Sequence, residues 1–384
     1  MLQNKNWSPE LDGLRGYASL WVLLGHICIL TKFNIPLLSN PDLGVDLFIL
    51  LSGYLMAKNY IERQWYEPWE ELKTIGTFWI RRFFRIAPLY YILLVVAFSF
   101  GEIFGHYRDL ISSVWPDTQT ETSRYNDSSF FNIISHVTFI FGLVPYYSFR
   151  TVLPDWSIGL EMQYYALFPF IMLLTMWFGF LRVSLALIIA CVIISYIAPC
   201  YFSQFPMPSM ILFKLPLFIA GMLIYKSVSE RKKLYLFAAL LAPIAAIMMG
   251  YFISPIRMLI EGGIILGMTI LLTPHSRKSA VGRFFLFIKR ILSVRFSQFL
   301  GDVSYSVYLL HLMVVIPVIG LLVQHTGFAE LASPLRFFIA VVLSVPVTYL
   351  IALVLFRYIE KKGIVLGRKI IKKELVRQPK MLDI

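Results

Sequence analysis

Apolar stretches of about 17–25 residues recur from one end of the sequence to the other, at 14–31, 43–60, 86–104, 131–147, 157–178, 182–199, 209–225, 234–252, 257–273, 303–324 and 335–356. A helix of that length crosses the ~30 Å hydrocarbon core of a bilayer. Inside lipid, only a helix or a closed barrel satisfies every backbone polar group. The pattern therefore predicts an all-α polytopic membrane protein. Charge usage agrees: 15% of residues are Asp, Glu, Lys or Arg, against about 25% in soluble domains. A bundle of spans shares one core, so residues 1–384 read as a single membrane domain, with a core at 11–360 and a basic tail at 361–384. The first dozen residues are polar and no small-residue cleavage site follows, so the first helix is expected to be a retained span.

Charge placement counts the crossings. The net charge of +13 would suit nucleic acid, but the cations gather between spans, at 63–85, 226–233, 277–295 and 357–380. Lys and Arg accumulate on the cytoplasmic side of membrane proteins. If all eleven stretches cross, the first basic segment faces away from the other three. If 131–147 does not cross, all four fall on the side of the N-terminus. That stretch is short and holds His136, Gly142 and Pro145. The reading is about ten transmembrane helices, both termini cytoplasmic, in the inner or plasma membrane, with 131–147 as an outer re-entrant or interfacial segment. The tail reads as a solvated anchor near anionic lipid. Cys28, Cys191 and Cys200 have neither metal nor redox spacing, so no metal is expected.

Polar groups inside spans are costly and usually face a cavity or the bundle interior. In "LRGYASLWVLLGH", Arg15 and His26 are eleven residues apart, which returns to within about 20° on a helix and separates them by roughly 16 Å. Asp12 and Ser19 fall on the same side. This stripe predicts a wet path with a cation at its cytoplasmic mouth and a titratable base deeper in. In "FWIRRFFRIAPLYY", Arg81, Arg82 and Arg85 sit at the cytoplasmic edge of the third span. They suit either a headgroup anchor or a guanidinium clamp for phosphate. No Gly-x-x-x-x-Gly-Lys loop is present, which argues against a P-loop nucleotide site. "GVDLFILLSGYL" places Asp46 and Gly53 on one face of the second span, Asp46 toward the outer end. "DWSIGLEMQYYALFP" puts Trp156, Ser157 and Glu161 at the outer mouth of the fourth. "SYSVYLLHL" contributes Ser304, Tyr305, Tyr308 and His311, where His311 reads as a packing and hydrogen-bonding residue. Glu261 has Arg257 within one helical turn as a partner.

These motifs occur in one order: "LDGLRGYASLWVLLGH", "GVDLFILLSGYL", "FWIRRFFRIAPLYY", "WSIGLEMQYY", "SYSVYLLH". Together they resemble the membrane acyltransferase-3 family, which includes bacterial O-antigen and exopolysaccharide O-acetylases. The resemblance runs from about Leu11 to Glu360. It implies a ten-helix core and transfer of an acyl group from cytoplasmic acyl-CoA, such as acetyl-CoA, to a hydroxyl of a cell-surface or lipid-linked glycan. It also implies functional roles for Arg15 with His26, for Arg81, Arg82 and Arg85, and for Trp156, Ser157 and Glu161. The sequence departs from the family at Met162, Lys214, Leu217 and Lys362. No esterase-like domain is expected after the tenth span.

The resulting expectation assigns His26, with Glu161 and Asp46, to catalysis. Arg15, Arg81, Arg82 and Arg85 hold the acyl-CoA, and Trp156 and Ser157 meet the acceptor. A histidine, with its ordinary pKa near 6.5, suits general-base work at neutral pH. Direct transfer and a covalent acyl-histidine both remain open. The competing reading is a proton-coupled transporter or flippase for a small anionic or glycan substrate. Against it, no duplicated half or matched pair of broken helices is evident.

Overall fold

The computed structural model describes residues 8–325 and 327–377. Those residues contain helices and connecting turns and no strand. In chain order the helices are α1 (Pro9–Thr31), α2 (Pro41–Arg63), α3 (Leu72–Ser99), α4 (Gly101–Val114), α5 (Ser123–Asn126), α6 (Phe130–Val137), α7 (Trp156–Phe178), α8 (Phe180–Ile197), α9 (Pro199–Phe202), α10 (Ile211–Glu230), α11 (Lys233–Ala239), α12 (Leu241–Met249), α13 (Pro255–Leu272), α14 (Ala280–Leu292), α15 (Arg295–His325), α16 (Ser333–Leu355) and α17 (Lys361–Arg377). A π-turn at Phe356–Glu360 links α16 to α17.

Eight helical segments among the described residues are long and apolar enough to cross a bilayer. This is a multi-pass membrane protein. Two of the ten expected spans differ, for separate reasons. Helix α2 has the length, at 23 residues, but carries Asp42, Asp46, Lys58, Glu62 and Arg63. It lies inside the bundle against α1 and α10, where protein rather than lipid solvates its charges. The 234–252 stretch breaks at Leu240 into α11 and α12. The 131–147 stretch forms no span. It divides into the eight-residue α6 and two 3₁₀ turns, at Ile140–Leu143 and Pro145–Tyr147, and α6 is only about 12 Å long.

The interior consists of α1, α2, α10 and α15, while α8 and α16 expose Ile189, Ile193, Val342 and Leu350 in the manner of lipid-facing helices. The closest pairing is α1 with α15. Both run in the same direction, Gly16 meeting Leu300 near one end and His26 meeting His311 further along. Small residues let the backbones approach. A Cβ on Gly16 would stand 2.5 Å from the Leu300 Cβ, and one on Gly301 would collide with the Asp12 carbonyl.

The segment between α4 and α7 folds back against the start of α7. His136 stacks on Phe141 with centroids 4.3 Å apart. Its Nδ1 donates to the Asn132 carbonyl at 2.9 Å, while its Nε2, 3.5 Å from Asp155, has no hydrogen-bond partner among the described residues. Asp155 also accepts from Thr151 at 2.8 Å and from Tyr90 of α3 at 3.4 Å. These buried bonds hold the segment against the bundle and start α7 inside it.

A segment that folds back has both flanks on one side. Single cysteines at Ser128 and Tyr146, both exposed, should react with the same impermeant thiol reagent from the same face, once the exposed Cys200 is replaced by serine. Reaction from opposite faces would show a crossing between them.

Candidate active site

The start of α1, the end of α2 and the middle of α3 line a polar cavity of about 420 Å³. Six cations line it: Arg15, Lys58, Arg63, Arg82, Arg85 and Arg368. Two carboxylates, Asp12 and Glu161, offset them only in part. Arg15, Arg82, Arg85 and Arg368 make no salt bridge within 4.0 Å among the described residues. Arg82 is the most firmly held. Its guanidinium lies 5.5–5.7 Å from the ring centroids of Tyr60, Phe78 and Tyr165 and donates to the Tyr60 hydroxyl at 3.4 Å. Its buried Nε has no hydrogen-bond partner. Guanidinium groups so placed suit the oxygens of a phosphate.

This cavity meets a second at Arg15, Ser52 and Glu161, which line both. At that neck Glu161 Oε1 accepts from Ser52 at 3.3 Å and from the Tyr165 hydroxyl. The second cavity, about 50 Å³, is mainly apolar, with Val45, Phe48, Ile49, Ile158 and Phe218 in its walls. Tyr308 and Phe48 meet edge to face across it at 5.8 Å. Tyr308 is fixed: its hydroxyl donates to the Pro154 carbonyl at 2.9 Å and lies 2.6 Å from Ser157 Oγ. Since the tyrosine proton goes to the carbonyl, Ser157 donates to the tyrosine oxygen.

Behind Tyr308 stands a pair of histidines. The His311 ring lies 6.0 Å from Tyr308 and 4.8 Å from His26. His311 Nδ1 is 2.6 Å from the Tyr308 carbonyl, and His26 Nδ1 is 2.9 Å from the Val22 carbonyl. A carbonyl can only accept, so both Nδ1 atoms carry the proton in the neutral rings. His311 Nε2 is then unprotonated and, 3.2 Å away, shares the proton of His26 Nδ1. The chain of bonds leaves the lone pair of His26 on Nε2. The half-buried His26 is thus set up as a base at that nitrogen, and His311 fixes its tautomer. His311 has the hydrogen-bonding role expected of it, with His26 as its specific partner.

Other candidates lie elsewhere. Arg81 points away from the cavity and pairs with Glu67 at 2.5 Å, since adjacent helix positions diverge by about 100°. Ser19 donates to the Gly16 carbonyl at 2.8 Å within its own helix and lines neither cavity. Asp46 is not in the cavities either. It is buried, bonded to Lys214 at 2.6 Å and Arg257 at 2.5 Å, while Arg257 also reaches Asp42 at 3.3 Å and the expected partner Glu261 at 3.1 Å. Trp156 is buried at the start of α7 and lines neither cavity. Glu161 is not at an outer mouth. Because α7 begins inside the bundle, Glu161 sits at the neck beside Arg15. The sequence reading missed Ser52, Lys58, Arg63, Tyr165 and Arg368 as lining residues.

A cationic cavity thus meets an apolar chamber at Arg15, Ser52 and Glu161 inside a membrane bundle, with the histidine pair beyond Tyr308. Residues 8–353 match the acyltransferase domain family, and the chain belongs to that family. It is 31% identical over 179 residues to peptidoglycan O-acetyltransferase OatA of Listeria monocytogenes, a match covering 45% of this chain and 26% of the relative. It is 28% identical over 196 residues to the putative peptidoglycan O-acetyltransferase YrhL of Bacillus subtilis, covering 50% and 28%. It is 28% identical over 173 residues to O-acetyltransferase OatA of Staphylococcus aureus, covering 44% and 25%. The matches thus span about a quarter of the length of these relatives. No solved structure matches.

The place of Asp46 has a measurable consequence. Removing one partner of a buried ion pair is worth roughly 3–5 kcal/mol of stability. Asp46→Asn, which strands Lys214 and Arg257, should lower the thermal midpoint of the detergent-solubilised protein sharply. Adding Lys214→Met should recover part of the loss. An Asp46→Asn protein of normal stability that lacked activity would return Asp46 to the catalytic set.

Proposed function

We propose that the chain is a membrane O-acyltransferase that moves an acyl group, acetyl in the simplest case, from acyl-CoA to a hydroxyl of a cell-surface or lipid-linked glycan. The observation that carries this reading is the junction of two unlike cavities at Arg15, Ser52 and Glu161. Coenzyme A has a phosphate-rich head and a long uncharged arm ending in a thioester. The cationic cavity suits the head, and the apolar chamber suits the arm. The positive-inside rule puts this cavity and both termini on the cytoplasmic side of the inner or plasma membrane. The relatives, named as O-acetyltransferases and in one case for peptidoglycan, favour acetyl as the group and a wall glycan as the acceptor.

In this reading Arg82, Arg85 and Arg15 hold the phosphates. His26 takes the proton of the acceptor hydroxyl at Nε2 as its oxygen attacks the thioester carbonyl. Collapse of the tetrahedral species breaks the carbon–sulfur bond, and the imidazolium returns the proton to the departing thiolate. The products are an ester and a free thiol. If Nε2 attacks instead, the same lone pair forms an acyl-imidazole that the acceptor then resolves. Tyr308 lines the chamber and its ring lies 6.0 Å from His311, while His26 lines neither cavity, so this wall must shift before the two groups meet.

Acyl transfer by membranes with matched protein levels tests the reading. His26→Asn keeps the size and much of the hydrogen bonding of the ring but cannot take the proton. It should lose roughly 10²–10⁴-fold in rate while remaining folded. Thiol release should require both acyl-CoA and acceptor. A transporter would release none, and near-normal transfer by His26→Asn would remove His26 from the mechanism.

A further inference from the structure

We infer that α17 is a wall of the donor site and that Arg368 is a phosphate-binding residue. The inference rests on the donor reading above, and the residue lies beyond the stretch 8–353 that matches the family. From its composition the tail reads as a solvated anchor, but the structure docks it. At its start Glu360 is buried and accepts from Ser306 of α15 at 3.0 Å. One turn later comes "GIVLG", whose two glycines are both buried. A Cβ on Gly363 would lie 2.7 Å from the Pro88 ring and 2.9 Å from the Phe84 carbonyl, and one on Gly367 would lie 2.8 Å from the Phe84 Cβ. Two small residues at this spacing let one helix lie closely on another. A solvated anchor has no use for them.

The surface they meet belongs to the part of α3 that carries Arg82 and Arg85. Docking therefore brings Arg368, the residue after Gly367, to the rim of the same cavity. It is otherwise exposed, and no carboxylate lies within 4.0 Å of it among the described residues. The chemistry that recognises such a rim is polyphosphate. A phosphomonoester carries about −1.5 to −2 charges at neutral pH, and a diphosphate adds more. A guanidinium at the opening meets either with paired donors.

Calorimetry on the full chain in lipid nanodiscs, with CoA and with inorganic pyrophosphate as probes, tests this. Arg368→Gln should weaken both about tenfold. Lys372→Gln, an exposed charge on the same helix that lines no cavity, should leave both unchanged. Gly363→Leu should reproduce the Arg368→Gln loss, and the double variant should lose no more. If Arg82→Ala loses CoA while Arg368→Gln keeps it, the inference falls and the donor reading stands. If pyrophosphate binding depends on Arg368 but CoA does not bind, Arg368 stands as a phosphate-binding residue, while the acyl-CoA reading falls and takes the donor-site wall with it. Equal losses from Lys372→Gln and Arg368→Gln would reduce the effect to general charge and overturn the inference. Binding of neither probe by the unaltered protein would overturn both.

Discussion

An ionised side chain in a bilayer must find opposite charge, water or a ligand, because hydrocarbon solvates it at a cost of several kcal/mol. The bundle meets this constraint in two contrasting ways. Around Asp46 the charges close on each other: Lys214 and Arg257 are tied to Asp42, Asp46 and Glu261 by direct contacts of 2.5–3.9 Å. Around Arg82 they do not close. Six cations face two carboxylates across a cavity of about 420 Å³. A set that satisfies itself is a structural clasp between α2, α10 and α13. A set that keeps a surplus is a place for an anion.

The geometry of the chemistry follows from the α1–α15 pair. The two helices touch through Gly16 and Gly301 near the cationic end, so they run close together and in the same direction. That registration sets His311 beside His26 at 3.2 Å. One pair of helices thus fixes both the cation at the neck, Arg15, and the tautomer of the base some distance along. A bulkier residue at either glycine would move the histidines relative to each other, although neither glycine is near them.

Much of this was legible in the sequence, for reasons that also explain what was not. Of the stripe that helix period predicted as a wet path, Asp12 and Arg15 line the cationic cavity while Ser19 and His26 line neither cavity; the spacing of Arg82 and Arg85 put them together in the cavity. Charge counting found that 131–147 is not a span. What failed required knowledge of partners. Arg81 and Arg82 are neighbours in sequence, and only the position of Glu67 and Tyr60 decides which of them faces the cavity. Asp46 looks like a lone intramembrane acid until Lys214 and Arg257 arrive from other helices. The depth of Glu161 depends on how the segment before α7 folds, and the Tyr90–Asp155 bond that holds its end links residues sixty-five positions apart. For Arg368 the signal was present, in the glycine spacing of "GIVLG", but the surrounding lysines and arginines made the segment look solvated.

The aromatic wall adds a last constraint. A thioester held beside a base in contact with water would be exposed to hydrolysis, and closing the site against water prevents that side reaction. Phe48 and Tyr308, edge to face at 5.8 Å, both line the chamber, and Tyr308 stands next to His311. The two are held unequally. Tyr308 is bound through its hydroxyl to Pro154 and Ser157, and through its backbone carbonyl to His311. Swinging its ring would break the two bonds of the hydroxyl, while the backbone carbonyl that holds His311 would stay in place. Phe48 has no polar atom in its side chain and is held by packing alone. Of the two, Phe48 is therefore the side chain that yields without breaking a hydrogen bond.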